Sequence, residues 1–198
     1  MTDKRCEWCG TDPLYVAYHD TQWGRPVVDD QELFEKLCLD GQQAGLSWIT
    51  ILRKIPAYRE AYCGFDAVRL ARMNEDDVER LMQHPGIVRN RLKVRSVIGN
   101  ARAWLALQET GESLGTFLWQ FVDGRVQVNH WRAQSEVPTS TPASEAMSKA
   151  LKKAGFSFVG PTICYAFMQA VGMVNDHLVT CPAHTACVDD ALRLGVLR

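Results

Sequence analysis

Hydrophobic residues recur at helical spacing along most of the chain. Asp29 and Glu32 have the spacing of a capping box, and apolar side chains follow on one helical face from Leu33 to Cys38. A longer stripe lies within positions 90–109, where apolar residues from Val94 to Leu105 share one face. These two segments predict amphipathic helices that bury one side.

Shorter helical patterns occupy most of the remaining chain. They are predicted over positions 46–54, 57–65, 66–73, 75–83, 114–122 and 139–155. Asn74 is a helix-capping residue type, and Gly155 is a helix stop. Positions 161–174 are apolar all round, which predicts a buried central helix, whereas strand-like alternation is limited to 125–129. The pattern therefore predicts an all-α fold.

Composition and charge are those of an ordinary globular domain. The chain has 198 residues, of which 46% are hydrophobic and 23% charged, with a formal net charge of −1. There is no apolar run of roughly 18 residues and no apolar stretch of a signal peptide at the N-terminus. We therefore expect a cytoplasmic protein without a membrane partner, whose seven cysteines are reduced thiols or metal ligands.

Two groups of metal-ligand residue types lie near opposite ends of the chain. Cys6 and Cys9 are spaced as in a zinc knuckle with His19 beyond them, and His177 and Cys181 have an i, i+4 spacing that would place both on one helical face. The residues alone do not choose among Cys6, Cys9 and His19, and His184 and Cys187 are further candidates. The alternative to metal binding is that the cysteines are buried as small hydrophobic side chains and that the histidine is a hydrogen-bonded residue of the core. A closed four-ligand zinc site would be structural and would join the two chain ends.

A basic segment follows a predicted turn between two helices. Within Leu81–Ala101, the turn surrounds Gly86 and a second helix starts near Asn90. Such a turn can present backbone N–H groups and a helix N-terminus to a phosphate. The basic residues that follow are Arg89, Arg91, Lys93 and Arg95. A solvated helix face is the alternative, but the combination favours sequence-independent contact with a DNA backbone.

Long stretches of the chain resemble one enzyme family. They include, in family order, RCEW, DPLYVAYHD, GQQAGLSWIT, GIVRNRLK, IGNARA, PTSTPAS, SKALKK, FVGPTICYAFMQA and VNDH. From Cys6 to Cys181 the sequence resembles the 3-methyladenine DNA glycosylase I family of the helix-hairpin-helix superfamily. The tail after Cys181 has no counterpart in that pattern.

The resemblance implies a two-lobed helical protein that removes N3-methyladenine from double-stranded DNA and leaves an abasic site. It implies one monomeric glycosylase domain over 1–198, with the helix-hairpin-helix at about 78–101, zinc-binding segments at 6–19 and 177–181, and an unassigned tail at 182–198. It also implies that one structural Zn²⁺ is held by Cys6, His19, His177 and Cys181. Cys9 is then not a ligand.

A base-excising enzyme must take the damaged base out of the DNA stack. Gln42, Gln43 and Leu46 lie in a glycine-flanked turn suited to probing the duplex. The resemblance places Tyr18 and Trp48 around the flipped base and gives Asp40 the catalytic role, opposing the positive charge of the base. The family usually has Glu at position 40, so the shorter Asp is a departure.

Two other functions compete with this one. The first is a non-catalytic module that binds alkylated DNA without cutting it, for which a basic hairpin and a structural zinc would suffice. The second is a zinc hydrolase, which would need an open coordination position on the metal. The aromatic pair and the GQQAG turn favour the enzyme over the module, and a fourth protein ligand disfavours the hydrolase.

Overall fold

The structure, a computed structural model, describes residues 4–196. Within that range the fold is mostly helical, which confirms the predicted class; the first three and last two residues of the predicted 1–198 domain lie outside the described residues. The helices are α1 (Pro13–Thr21), α2 (Asp30–Gln43), α3 (Trp48–Leu52), α4 (Ile55–Ala61), α5 (Ala67–Ala71), α6 (Glu75–Met82), α7 (Arg91–Glu109), α8 (Leu114–Trp119), α9 (Pro142–Lys153), α10 (Pro161–Ala170) and α11 (Pro182–Arg193).

Side-chain caps begin the helices where the sequence predicted them. The Asp29 carboxylate accepts the Glu32 N–H at the start of α2. Asn74 forms a full capping box with Asp77 at α6, and the Asn90 side chain accepts the Lys93 N–H at α7. These contacts satisfy backbone donors that the first helical turn leaves without partners.

Several predicted helices are shorter than expected, and two of them lie near a glycine with positive φ. The segment 46–54 is helical only over α3, because Gly45 has a φ of +76° before it and α4 begins at Ile55. The central helix α10 ends at Ala170, and Gly172 follows at a φ of +68°. A Cβ at Gly172 would lie 2.5 Å from Pro26 N, so only glycine allows the close approach of these two segments.

The chain after α10 forms a strand that the hydrophobic pattern did not predict. Strand β1 (Gln127–Val128), within the predicted alternating segment, pairs in parallel with β2 (Val174–Asn175). A two-residue strand that follows directly on an apolar helix has no period of its own, so the sequence pattern assigned Val174 to the helix.

Most buried apolar residues belong to one large cluster. It includes Phe34 and Leu37 of α2, Val97 of α7, and Phe167 and Met168 of α10. A smaller cluster surrounds the N-terminal segment and the loop before α11. The division into two lobes therefore stays a prediction. No helix within residues 4–196 has the length and apolarity needed to cross a membrane.

Candidate active site and metal cluster

Aromatic side chains from the N-terminal half border a cavity near the start of α3. Tyr18 of α1 is buried and Trp48 of α3 is half-buried, with ring centroids 5.5 Å apart and planes inclined by 42°. Trp8, Tyr15 and Trp23 complete this wall. The structure thus brings together the two aromatic residues predicted to hold a base. The cavity offers flat apolar surfaces of the kind that stack on a purine.

Asp40 lies at the same cavity and is paired with a residue that the sequence analysis missed. Its Oδ1 accepts a hydrogen bond from Lys36, one helical turn earlier on α2. The Lys36 ammonium also lies 4.0 Å from the centroid of the Trp48 ring. Burial raises the pKa of Asp40 and lowers that of Lys36, and their mutual attraction opposes both shifts. The i, i+4 spacing of the two residues was the available sequence signal.

Two buried polar atoms at the cavity have no hydrogen-bond partner among residues 4–196. They are Asp40 Oδ2, an acceptor, and Trp48 Nε1, a donor. A buried unsatisfied polar atom costs about 1–3 kcal/mol and more when it is charged. Because both residues border the cavity, a ligand with its own donor and acceptor groups would satisfy them.

A second carboxylate, also missed by the sequence analysis, borders the same cavity. Asp176 follows β2 and is almost completely buried. Its two oxygens accept hydrogen bonds from Asn129 Nδ2 at 2.6 Å, Trp131 Nε1 at 2.7 Å, Tyr165 OH at 2.5 Å and Gln169 Nε2 at 2.9 Å. No sequence pattern indicated this arrangement, because Asp176 and its donors come from three separate segments.

The residues predicted to probe a DNA duplex differ in their exposure. Leu46 is 38% exposed at the tip of the turn after α2, and Gln43 borders the cavity. Gln42, in contrast, is completely buried. Its amide donates to the Lys93 carbonyl at 2.9 Å and its Oε1 accepts from Tyr58 OH at 3.4 Å. The prediction that Gln42 contacts DNA is wrong for this conformation, because its side chain is used within the core.

Lys93 is likewise buried and is not a surface cation. Its ammonium donates to the carbonyl oxygens of Gln42 at 2.8 Å and Ala44 at 2.6 Å. These carbonyls end α2, where a positive charge also suits the helix dipole. The prediction that Lys93 contacts phosphate is therefore corrected: Lys93 joins the start of α7 to the end of α2.

The hairpin between α6 and α7 carries less free positive charge than the sequence indicated. Arg91 forms an ion pair with Glu79, and Arg95 donates to Glu75 at 2.6 Å. Only Arg89 of the predicted basic residues is exposed and outside every ion pair of the described chain. Acidic residues of α6 thus neutralise much of the predicted basic patch. They are far from the basic residues in the sequence, so the sequence pattern did not indicate these ion pairs.

Gly86 has a packing role in the hairpin turn. Its N–H donates to His84 Nδ1 at 3.1 Å, so this donor already has an acceptor. A Cβ at Gly86 would lie 2.5 Å from Ala57 Cβ. The glycine therefore allows α4 and the turn to approach each other closely.

The four predicted metal ligands form one buried cluster. The ligand atoms of Cys6, His19, His177 and Cys181 all lie within 4.8 Å of one another. Cys6 Sγ is 3.6 Å from His177 Nδ1, and Cys181 Sγ is 3.6 Å from His19 Nε2. A tetrahedral Zn²⁺ with bonds of about 2.3 Å to sulfur and 2.0–2.1 Å to nitrogen requires sulfur–nitrogen distances of about 3.6 Å. The cluster has the dimensions of such a site.

The outer nitrogens of both histidines have hydrogen-bond partners. His19 Nδ1 lies 2.8 Å from Asp20 Oδ1, and His177 Nε2 lies 3.0 Å from the Trp23 carbonyl oxygen. This arrangement directs the other ring nitrogen of each histidine into the cluster, as in metal sites generally. A hydrogen bond from the Cys6 thiol lowers the pKa of Cys181, so one of the two sulfurs is already suited to the thiolate form that a metal requires.

The geometry of the C-terminal ligand pair differs from the prediction. His177 and Cys181 lie in a loop between β2 and α11, and Cys181 is the residue before that helix. The turn is fixed by the Cys181 N–H, which donates to the Leu178 carbonyl at 2.8 Å. The prediction that His177 and Cys181 share one face of a helix is therefore wrong, although both side chains do lie in the cluster. Cys9 lies outside the cluster, and its thiol donates to the Cys6 carbonyl at 3.1 Å.

Comparison with known proteins gives consistent results. A family model described as methyladenine glycosylase matches residues 8–184. DNA-3-methyladenine glycosylase 1 of Escherichia coli is 57% identical over 178 residues, covering 90% of this chain and 95% of the relative. DNA-3-methyladenine glycosylase of Haemophilus influenzae is 50% identical over 182 residues, covering 92% and 98%.

Solved structures share the same fold. A crystal structure of 3-methyladenine DNA glycosylase I superposes with a TM-score of 0.91 at 56% identity and covers 91% of this chain and 100% of that one. A structure addressing 3-methyladenine recognition by the Staphylococcus aureus glycosylase I has a TM-score of 0.88 at 37% identity, with coverage of 90% and 95%.

Proposed function

The chain belongs to the methyladenine glycosylase family, and we propose that it is a DNA repair enzyme that excises N3-methyladenine by hydrolysing the N-glycosidic bond. The observation that carries this proposal is the cavity between Tyr18 and Trp48, at which Asp40 Oδ2 and Trp48 Nε1 lack partners. Aromatic faces attract the cationic base, and the free carboxylate oxygen accepts a hydrogen bond from its amino group.

The chemistry demands little of the protein. N3-methyladenine in DNA carries a positive charge, so the bond between N9 and C1′ of the sugar is already weak. When that bond breaks, the electron pair stays with the base, which leaves uncharged. The oxygen of a water molecule bonds to C1′, and one proton is released to solvent. The pocket contributes by holding the flipped base between aromatic rings and by placing negative charge near it.

Double-stranded DNA is the proposed partner, and the turn after α2 enters the duplex. Leu46 is the exposed apolar residue at this tip, next to Gly45, and takes the place of the extruded base. Gln43 lies between this tip and the pocket. The Gln42–Lys93 contacts hold the turn against α7 and so fix the position of Leu46 relative to the pocket.

The hairpin of α6 and α7 is proposed as a helix-hairpin-helix element that contacts the DNA backbone. Arg89 can contact a phosphate without any rearrangement, whereas Arg91 must first break its ion pair with Glu79. An exposed ion pair contributes only about 0–1 kcal/mol, so a phosphate competes with Glu79 at low cost. The protein is proposed to act as a cytoplasmic monomer built as one glycosylase domain.

One structural Zn²⁺ is proposed for the cluster of Cys6, His19, His177 and Cys181. Two thiolates and two imidazoles suit zinc, and four protein ligands leave no coordination position for water. When bound, the ion holds the N-terminal segment against the loop before α11. The base is excised without participation of the metal, and the zinc hydrolase alternative is disfavoured.

Release of free base from methylated DNA tests this function. The purified protein is incubated with duplex DNA containing N3-methyladenine and N7-methylguanine, and the released bases are separated by chromatography. We expect release of N3-methyladenine by the wild type and a strong reduction by Trp48→Ala. Binding of this DNA without release of either base would identify the protein as the non-catalytic module instead.

A further inference from the structure

Asp176 is a buried carboxylate whose hydrogen-bond partners are all uncharged. The four donors are the side chains of Asn129, Trp131, Tyr165 and Gln169. Within residues 4–196, no Lys, Arg or His forms an ion pair with Asp176, although the residue is only 3% exposed. Such donors replace the lost water and offset the cost of burying a charge, but they do not cancel the charge itself.

The other charges near the cavity compensate one another. Asp40 is paired with the Lys36 ammonium, so these two residues contribute no net charge. With the proposed divalent ion held by two thiolates and two neutral imidazoles, the cluster of Cys6, His19, His177 and Cys181 would also have a net charge of zero. Asp176 is therefore the one carboxylate among the residues lining the cavity that has no compensating cation.

We propose that Asp176 is the negative charge by which this pocket selects cationic bases. The inference rests on the proposed function and adds a specificity residue from a different segment of the cavity lining than Asp40. A positive charge on the base is attracted by the buried Asp176 carboxylate, and this attraction is absent for an uncharged base of the same shape. Asp40 and Trp48 recognise the shape and edge of the base, whereas Asp176 recognises its charge.

The network around Asp176 allows the charge to be removed with little change of shape. In Asp176→Asn the new amide group can point to Tyr165 and Gln169, because the tyrosine hydroxyl can accept a hydrogen bond and the glutamine amide can turn its oxygen inward. The remaining oxygen still accepts from Asn129 and Trp131. Tyr165→Phe is the matched control, since it removes one hydrogen bond and keeps the charge.

The test compares a cationic ligand with a neutral one. Binding of adenine methylated at both N3 and N9, which is permanently cationic, and of uncharged 3-methyladenine is measured by titration calorimetry for wild type, Asp176→Asn and Tyr165→Phe. We expect Asp176→Asn to lose about tenfold in affinity for the cation, which corresponds to about 1.4 kcal/mol. Its affinity for the neutral base should stay within about twofold, and Tyr165→Phe should change both affinities by less than about threefold.

Equal losses for both ligands, or a loss in Tyr165→Phe as large as that in Asp176→Asn, would make Asp176 a structural residue and overturn the proposal. Unchanged binding of the cation would do the same. Single-turnover release of N3-methyladenine, and the zinc content of each variant, are measured in parallel. A wild type that releases no base contradicts the proposed function, while the two binding constants still decide the inference about charge.

Discussion

Gln42 and Lys93 hold each other by two reciprocal hydrogen bonds. The side-chain amide of Gln42 donates to the Lys93 carbonyl at 2.9 Å, and the Lys93 ammonium donates to the Gln42 carbonyl at 2.8 Å. The pair joins the end of α2, which carries Asp40, to the start of α7, the second helix of the hairpin. A change at either residue therefore acts on the pocket and on the hairpin together.

Lys93→Met is expected to destabilise the protein by about 1–3 kcal/mol, because it leaves two carbonyl groups at the end of α2 without their donor. Chemical denaturation followed by circular dichroism measures the change in unfolding free energy. Arg89→Met is the matched control and should have almost no effect, because Arg89 is exposed. Equal stability of both variants would show that the Lys93 contacts are energetically unimportant.

Arg89→Ala is expected to weaken DNA binding equally on unrelated duplexes and to reduce the slope of log K against log salt by about one unit. The slope is measured by fluorescence anisotropy at several salt concentrations. Glu79→Gln should strengthen binding, because it releases Arg91 from its ion pair. If neither substitution alters the salt slope, the hairpin does not contact the DNA backbone.

His177→Ala is expected to lose the bound zinc and to lower the unfolding temperature, because a structural zinc contributes directly to folding free energy. Cys9→Ser should keep one zinc per chain, since Cys9 lies outside the cluster. Elemental analysis and thermal unfolding are the measurements. Zinc that is retained without Cys6 but lost without Cys9 would reverse the ligand assignment.

Excision should slow as the pH falls through the pKa of Asp40, because only the ionised carboxylate keeps its free oxygen as an acceptor for the amino group of the base. Burial raises this pKa, so the loss of rate should occur at a higher pH than for an exposed Asp. Lys36→Met should move this loss of rate to still higher pH, because the ion pair with Lys36 lowers the pKa of Asp40. The measurement is single-turnover excision across the pH range.

Asp40→Asn provides the control for this pH dependence. It should remove the loss of rate at low pH (the acid limb of the pH profile). It should also slow excision roughly tenfold at neutral pH, as expected for the loss of a charge-assisted hydrogen bond. Asp40→Glu, the usual family residue, should be neutral or faster. An unchanged profile in Asp40→Asn would assign the limb to a different group.

Trp48→Ala should reduce excision more than Asp40→Asn does, because stacking on a base is worth about 1–3 kcal/mol and Trp48 also covers the Lys36 ammonium. Trp48→Phe keeps a flat ring without the unpartnered Nε1 and should be intermediate. Single-turnover rates on the same methylated duplex give the order. A Trp48→Phe variant as slow as Trp48→Ala would mean that the N–H group matters more than the ring.

Local features of the fold were predictable from the sequence. The caps Asp29, Asn74 and Asn90 act on N–H groups no more than three residues away, so the local pattern contains all that is needed. The ligand pair of His177 and Cys181 was found from its spacing, yet the helical geometry assumed for it was wrong. Residue types can indicate a metal site even where the backbone between the ligands is misassigned.

Features that depend on distant partners were not predictable. The basic residues of the hairpin looked free, because Glu79 is twelve positions before Arg91 and belongs to another helix. Lys93 looked like a surface cation, because nothing in its neighbourhood indicates the carbonyls of α2. The network of Asp176 joins residues separated by up to 47 positions. Such pairings follow from packing, which single-sequence patterns do not encode.

Closure of the cluster of Cys6, His19, His177 and Cys181 would determine when the pocket is completed during synthesis. Cys6 and His177 are 171 positions apart, so the ring closed through the cluster contains most of the chain. Its closure carries a large loop entropy and must await translation of Cys181. Trp8 and Tyr18, beside Cys6 and His19, are thus among the first residues made and among the last to be fixed. A nascent chain that ends before Cys181 would contain most of the helices. Its pocket would be incomplete, and by the proposed function it would be unable to hold a flipped base.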